Sequence, residues 1–217
     1  MRINVILADD HAIVRQGIRS IVENMADDIH VSGEAENGRQ VLELARKDPA
    51  DVYILDIAMP DLNGLETAER LLKADRRRKI ILLSMHDNRA FLERALQTGV
   101  KGYVLKESAI EEILVAIREV KKGGYFISPK ISKYVVRGFL EGGPPDRRGG
   151  AVSGLTIKER EILQLIAEGF SNKEIAGKLG RSVHTIHVHR NNIMRKLDIH
   201  SQASLVRYAL KEGISHL

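Results

Sequence analysis

Within its first 121 residues the chain passes five times from a short apolar run to an amphipathic stretch, and this alternation constrains the fold more than any other feature. The apolar runs occupy residues 3–8, 29–35, 52–55, 80–84 and 102–105, short enough for strands. Between and after them, residues 12–24, 38–47, 64–74, 88–97 and 108–121 repeat with helical spacing. Five successive βα units predict an α/β doubly wound, five-stranded parallel sheet with helices on both faces, because the crossovers are right-handed. In such sheets the functional crevice lies beyond the carboxyl ends of the strands.

The pattern then changes. Residues 129–140 have helical spacing with Pro129 at the start, whereas Gly142-Gly143-Pro144-Pro145-Asp146-Arg147-Arg148-Gly149-Gly150 breaks all periodicity and reads as a flexible linker. Beyond it the chain is entirely helical, over 156–168, 171–179, 182–197 and 201–212. Thr156 with Glu159 and Ser171 with Glu174 have capping-box spacing, Ser182 and Ser201 are N-cap candidates, and Gly169 and Gly180 stand at expected helix ends. The expected division is 1–121 for the α/β domain, 122–152 for the linker and 153–217 for a small all-α domain.

Charge separates along the same lines. The formal net charge of +5 conceals an acidic front: residues 1–121 carry 18 Lys and Arg against 21 Asp and Glu, while 152–217 carry 10 against 6. The basic back half suits a polyanion. Without cysteine, disulfides, thiolate zinc sites and thiol catalysis are excluded. The chain opens directly into a strand pattern and no apolar run has membrane-spanning length, so a cytoplasmic location without membrane attachment is expected. The run Arg76-Arg77-Arg78-Lys79 lies between a helix and a strand of the acidic half, where a solvated loop is the simpler reading.

Asp9 and Asp10 follow the first strand and Asp56 the third, which are neighbours in the expected sheet. Three crowded carboxylates repel one another, and a divalent oxygen-seeking cation relieves them. Ser84 ends the fourth strand and Lys106 follows the fifth, adding a hydroxyl and an ammonium to the same rim. Taken singly, acidic residues at strand ends are ordinary helix caps. Together with a hard cation, these groups suit a phosphoryl group, with a carboxylate as its acceptor.

The segments Ala8-Asp9-Asp10-His11, Leu55-Asp56-Ile57-Ala58-Met59-Pro60, Gly64, Leu83-Ser84 and Gly102-Tyr103-Val104-Leu105-Lys106 resemble the receiver domain of bacterial response regulators. The resemblance implies that a sensor histidine kinase phosphorylates Asp56. It implies Mg²⁺ held by Asp10, Asp56 and the Ala58 carbonyl with Asp9 assisting, phosphoryl oxygens bound by Ser84 and Lys106, and Tyr103 as an aromatic switch that turns inward. Met85 stands where many receivers carry a small residue, and it is expected to narrow access to the phosphoryl group.

In the helix at 182–197, an advance of about 100° per residue aligns Ile186, Ile193 and Leu197, flanked by Val183, on an inner face. His184, His187, Val188, Asn191 and Arg195 gather on the opposite side, an inventory suited to base edges and phosphates. A solvated face, a protein-docking face and a metal site at His184 and His187 are the competing readings; the last has no evident third ligand. The preceding helix and the turn at Gly180 complete a helix-turn-helix.

Residues 153–214 are similar to the LuxR-type helix-turn-helix domain, carried by Leu155-Thr156, Arg160-Glu161, Ala167-Glu168-Gly169, Ser171-Asn172-Lys173-Glu174-Ile175-Ala176, Ser182, Thr185-Ile186, His189, Ile193, Lys196-Leu197 and Ser201. The whole chain resembles NarL/FixJ-type response regulators. This implies phosphate contacts around Thr185, Arg195 and Lys196, base contacts from His187, Val188 and Asn191, with His184 on the same face, and a homodimer through 201–212. His187 stands where the family often has Lys. The expectation is a non-enzymatic, phosphorylation-controlled transcription factor whose receiver either occludes 182–197 or prevents dimerisation. An aspartyl-phosphate phosphohydrolase needs a second Asp two residues after the nucleophile, where Ala58 stands. A ligand-controlled sensor needs an apolar pocket in its front half.

Overall fold

A computed structural model of the protein describes residues 2–85, 89–140 and 154–215, with the backbone alone for 89–91 and 135–140. The strands are β1 (Ile3–Ala8), β2 (Ile29–Ala35), β3 (Val52–Asp56), β4 (Ile80–Ser84), β5 (Gly102–Leu105) and β6 (Phe126–Ile127). They form one sheet in the order β2-β1-β3-β4-β5-β6, and every neighbouring pair is parallel. Helices α1 (Ala12–Met25) and α5 (Ala109–Lys122) cover one face, where Ile18, Val22, Ile113 and Ile117 meet Val5, Ile54 and Val104. On the other face α2 (Gly38–Lys47), α3 (Gly64–Ala74) and α4 (Arg89–Thr98) bring Val41, Ala68, Leu71 and Leu92 against Ile6, Leu55 and Tyr103.

The sheet therefore has six strands, where the sequence predicts five. β6 is a two-residue edge strand, too short to show any period, and it pairs with β5 through Gly102↔Phe126 and Tyr103↔Ile127. Ser128 anchors it: its amide donates to the Tyr103 carbonyl (2.9 Å), and its hydroxyl accepts from the Leu105 amide (3.0 Å). Helix α6 (Pro129–Leu140) follows, with Ile131 buried in the core and Tyr134 packed against it. Residues 126–134, inside the stretch read as linker, are thus built onto the α/β unit. The Gly/Pro-rich run 142–150 lies outside the described residues.

The rest is helical: α7 (Ile157–Ala167), α8 (Asn172–Leu179), α9 (Val183–Leu197) and α10 (Gln202–Lys211) surround a separate core of Leu163, Ile166, Ile175, Ile186, Ile193 and Leu205. Both capping boxes form as the spacing predicts, and Ser182 and Ser201 cap α9 and α10. Gly169 and Gly180 close α7 and α8 at φ 91° and φ 60°, values that favour a residue without Cβ. No described helix is long and apolar enough to cross a membrane.

Candidate functional site

The parallel register delivers the acidic residues to one end of the sheet. Ala8 pairs with Leu55 across β1 and β3, so the residues that follow each, Asp9 and Asp56, emerge side by side. Ligand atoms of Asp9, Asp10, His11 and Asp56 lie within 4.8 Å of one another. Asp9 and Asp56 are buried, and the Lys106 ammonium spans them at 2.7 Å from Asp9 Oδ2 and 2.8 Å from Asp56 Oδ2. Burial pushes the Asp56 carboxyl up and nearby Asp9 adds to this, while Lys106 and the Ala58 amide pull it down; the net shift is upward. Burial works against the Lys106 ammonium, but the two carboxylates outweigh it and hold its pKa above the usual value.

Asp56 Oδ1 is buried without a well-formed hydrogen bond among the described residues. One ammonium shared by crowded carboxylates leaves negative charge, and the donors are hard oxygens, so the residues fit a divalent cation such as Mg²⁺. Ser84 ends β4 beside Leu105, and half-buried Ala58 follows β3. Tyr103 is already turned inward, at 1% exposure, and Met85 points outward at 73%. His11, whose role no spacing in the sequence signals, sets its Nδ1 2.8 Å from Asp10 Oδ1.

On α9, Ile186 and Ile193 are buried as the helical projection predicts, whereas Val183, at the exposed first position, is about half exposed. His184, His187, Val188, Asn191 and Arg195 are exposed on the other side, Lys196 is exposed on the flank, and Thr185 is half-buried. Lys196 has an internal partner: its ammonium lies 2.6 Å from Glu159 Oε2. Burial alone would raise the Glu159 carboxyl, but the bonds from Lys196 and Thr156 outweigh it and hold it low. Any phosphate contact by Lys196 therefore competes with that carboxylate.

Comparison with known proteins matches both units. Residues 5–118 fit the family model for the response regulator receiver domain, and 153–209 fit that for bacterial regulatory proteins of the luxR family. The chain is a receiver–LuxR-type response regulator. It is 37% identical over 213 residues to the oxygen regulatory protein NreC of Staphylococcus carnosus, covering 97% of this chain and 98% of that one. It is also 37% identical over 214 residues to the transcriptional regulatory protein MctR of Rhizobium johnstonii, covering 98% and 95%. Among solved structures, RcsB from Salmonella enterica serovar Typhimurium, bound to promoter P1flhDC in the presence of phosphomimetic BeF3-, superposes with a TM-score of 0.61 at 32% identity, covering 96% and 98%. This response regulator is a DNA-binding transcription regulator, not an enzyme.

The response regulator's two domains meet along a polar seam that the sequence did not announce. Buried Glu161 on α7 accepts from Arg39 on α2, from Arg70 on α3 (2.7 Å) and from Lys158 (3.0 Å). Burial alone would raise the Glu161 carboxyl; its cationic partners outweigh that and depress it. In return, Arg160 on α7 reaches Glu66 (2.6 Å) and Glu69 on α3, with Arg94 of α4 also on Glu66 (3.1 Å). A second group of bonds grips the β3–α3 loop. The Gln164 amide donates to the Met59 carbonyl (2.9 Å) and accepts from the Asn63 amide (3.1 Å), while Asn63 Nδ2 donates to the Ile214 carbonyl (3.1 Å). Glu168, the C-cap of α7, accepts from the Asp61 amide (3.3 Å), and Lys178 of α8 pairs with the Asp61 carboxylate (2.7 Å). The seam contacts of the described residues thus come from α7 and its cap, α8 and the segment after α10, and the outer face of α9 is exposed.

Proposed function

We propose that Asp56 is the phosphorylated residue and that a sensor histidine kinase is the physiological donor. The reading rests chiefly on one observation: Asp9 and Asp56, buried and beside Asp10, share the Lys106 ammonium at 2.7 and 2.8 Å. An Asp56 carboxylate oxygen attacks phosphorus, the bond to the donor breaks, and the donor leaves with that bond's electron pair. Asp10, Asp56 and the Ala58 carbonyl hold Mg²⁺, with Asp9 assisting; when bound, the ion neutralises charge on the phosphoryl oxygens. Lys106 then leaves its carboxylate partners for a phosphoryl oxygen, and Ser84 donates its hydroxyl to another. Tyr103 is already inward, so its role as a switch is to stabilise the position that Ser84 takes.

The output is duplex DNA read by α9, with His184, His187, Val188 and Asn191 towards base edges and Thr185, Arg195 and Lys196 towards phosphates. The open outer face of α9 argues against simple occlusion and favours control of pairing. In this reading the seam holds the DNA-binding domain where two copies cannot join through α10, and phosphorylation parts the seam so that a homodimer binds paired half-sites. The protein works in the cytoplasm.

Incubation with acetyl phosphate and Mg²⁺ tests the assignment. Asp56→Ala should abolish labelling, and Asp10→Ala should reduce it sharply through lost Mg²⁺. Normal labelling of the Asp56 variant would sink the reading.

A further inference from the structure

The segment joining the phosphorylation site to α3 is held in place by the other domain. Asp61 sits at φ 63°, a left-handed conformation uncommon for a residue with a side chain. Its amide donates to Glu168 Oε2 (3.3 Å), and its carboxylate pairs with Lys178 of α8 (2.7 Å). On either side of it, the Met59 carbonyl and the Asn63 amide are both bonded to Gln164. Gln164 is 1% exposed, and its Nε2 also donates to Glu168 Oε1 (2.7 Å), so both ends of its amide are satisfied on or beside this loop. Buried polar groups with such partners define a single geometry, and removing a partner leaves the loop free to rearrange. The loop begins just past Asp56 and contains Ala58, whose carbonyl is assigned above to the cation.

We propose that Gln164, in the DNA-binding domain, is a positioning residue for the phosphorylation site: by gripping Met59 and Asn63 it weakens cation binding at Asp10 and Asp56 while the domains are docked. The direction rests on the reading that phosphorylation parts the seam. Coupling between two sites is reciprocal: if the cation-loaded, phosphorylated crevice loosens docking, docking disfavours that loaded crevice by the same factor. The DNA-binding domain then acts as a restraint on the receiver's chemistry as well as being its output.

The test uses the full chain with Gln164→Glu. This near-isosteric change keeps an acceptor for the Asn63 amide, removes the donor to the Met59 carbonyl, and sets a carboxylate against Glu168. Mn²⁺ binding is read from the loss of the free-ion paramagnetic resonance signal, and domain separation from small-angle X-ray scattering. The dissociation constant for Mn²⁺ should fall about fivefold or more, within the usual range of allosteric coupling, and the radius of gyration should rise. Gln164→Ala is measured alongside, so that one poorly folded variant, detected by circular dichroism, does not decide the matter. Unchanged or weaker Mn²⁺ binding in a folded variant overturns the proposal. The underlying reading fails separately: in that case the wild-type chain stays equally compact after acetyl phosphate treatment, a result that does not involve Gln164.

Discussion

At Gly64 a hydrogen in place of a methyl group decides whether the crevice can close. A Cβ there would lie 2.1 Å from the Asp56 carbonyl oxygen, and the Gly64 amide donates to the Ile57 carbonyl (3.1 Å). Gly64→Ala should therefore push α3 off the end of β3, at a cost of about 1–3 kcal/mol, and cut the acetyl phosphate labelling rate at least tenfold. Wild-type labelling of that variant would show that the junction yields without disturbing Asp56. His187 carries the residue-scale prediction for DNA. It is exposed on α9, where the family often has Lys. His187→Lys should tighten binding to duplex DNA and steepen its salt dependence by up to about one phosphate equivalent. A parent-like salt slope in the Lys variant, measured beside His184→Gln, places the phosphate contact elsewhere.

At the scale of elements, α7 and α9 differ in how readable they are. α9 has one buried and one open face, so an advance of about 100° per residue separates Ile186 and Ile193 from His187 and Asn191. α7 is pressed between its own domain's core and the receiver, and Glu161 and Gln164 are as buried as Leu163 and Ile166. The partners of its buried polar residues lie about a hundred residues away in the chain, where no local pattern reaches. β6 was missed for a different reason: two residues carry no period, and only pairing with β5 makes them a strand. The inner face of α9 gives a stability prediction. Ile186 is fully buried, so Ile186→Ala should cost about 2–5 kcal/mol, a large share of what a domain this small possesses. Calorimetry should show a lower melting temperature for the C-terminal transition alone. If the receiver transition shifts equally, the domains unfold as one unit.

For the whole molecule the decisive fact is where the domains touch. The seam uses α7, α8 and the segment after α10, and leaves the outer face of α9 accessible. Isolated residues 152–217 should accordingly bind random duplex DNA without phosphorylation, within a few-fold of the unphosphorylated full chain at equal salt. A modest gain is expected from removing the acidic receiver, which carries 18 cationic against 21 anionic side chains over residues 1–121. Fluorescence anisotropy on a labelled duplex measures this. A hundredfold tighter fragment would mean that the receiver screens α9 after all, and would restore occlusion as the mode of control.

The sequence by itself determined the two classes of fold, the end of the sheet where Asp9, Asp10, Asp56, Ser84 and Lys106 gather, and the two faces of α9. These follow from periodicity, capping and the rule that parallel strands present their carboxyl ends together, all of which are local or topological. Tertiary structure alone decided that Lys106 spans Asp9 and Asp56, that Tyr103 is already inward, and that Lys196 is tied to Glu159. It alone also decided that Glu161 and Gln164 belong to the receiver's surroundings as much as to their own helix. Such contacts join residues remote in the chain, and their energies depend on burial and on a distant partner, neither of which a run of neighbouring residues records.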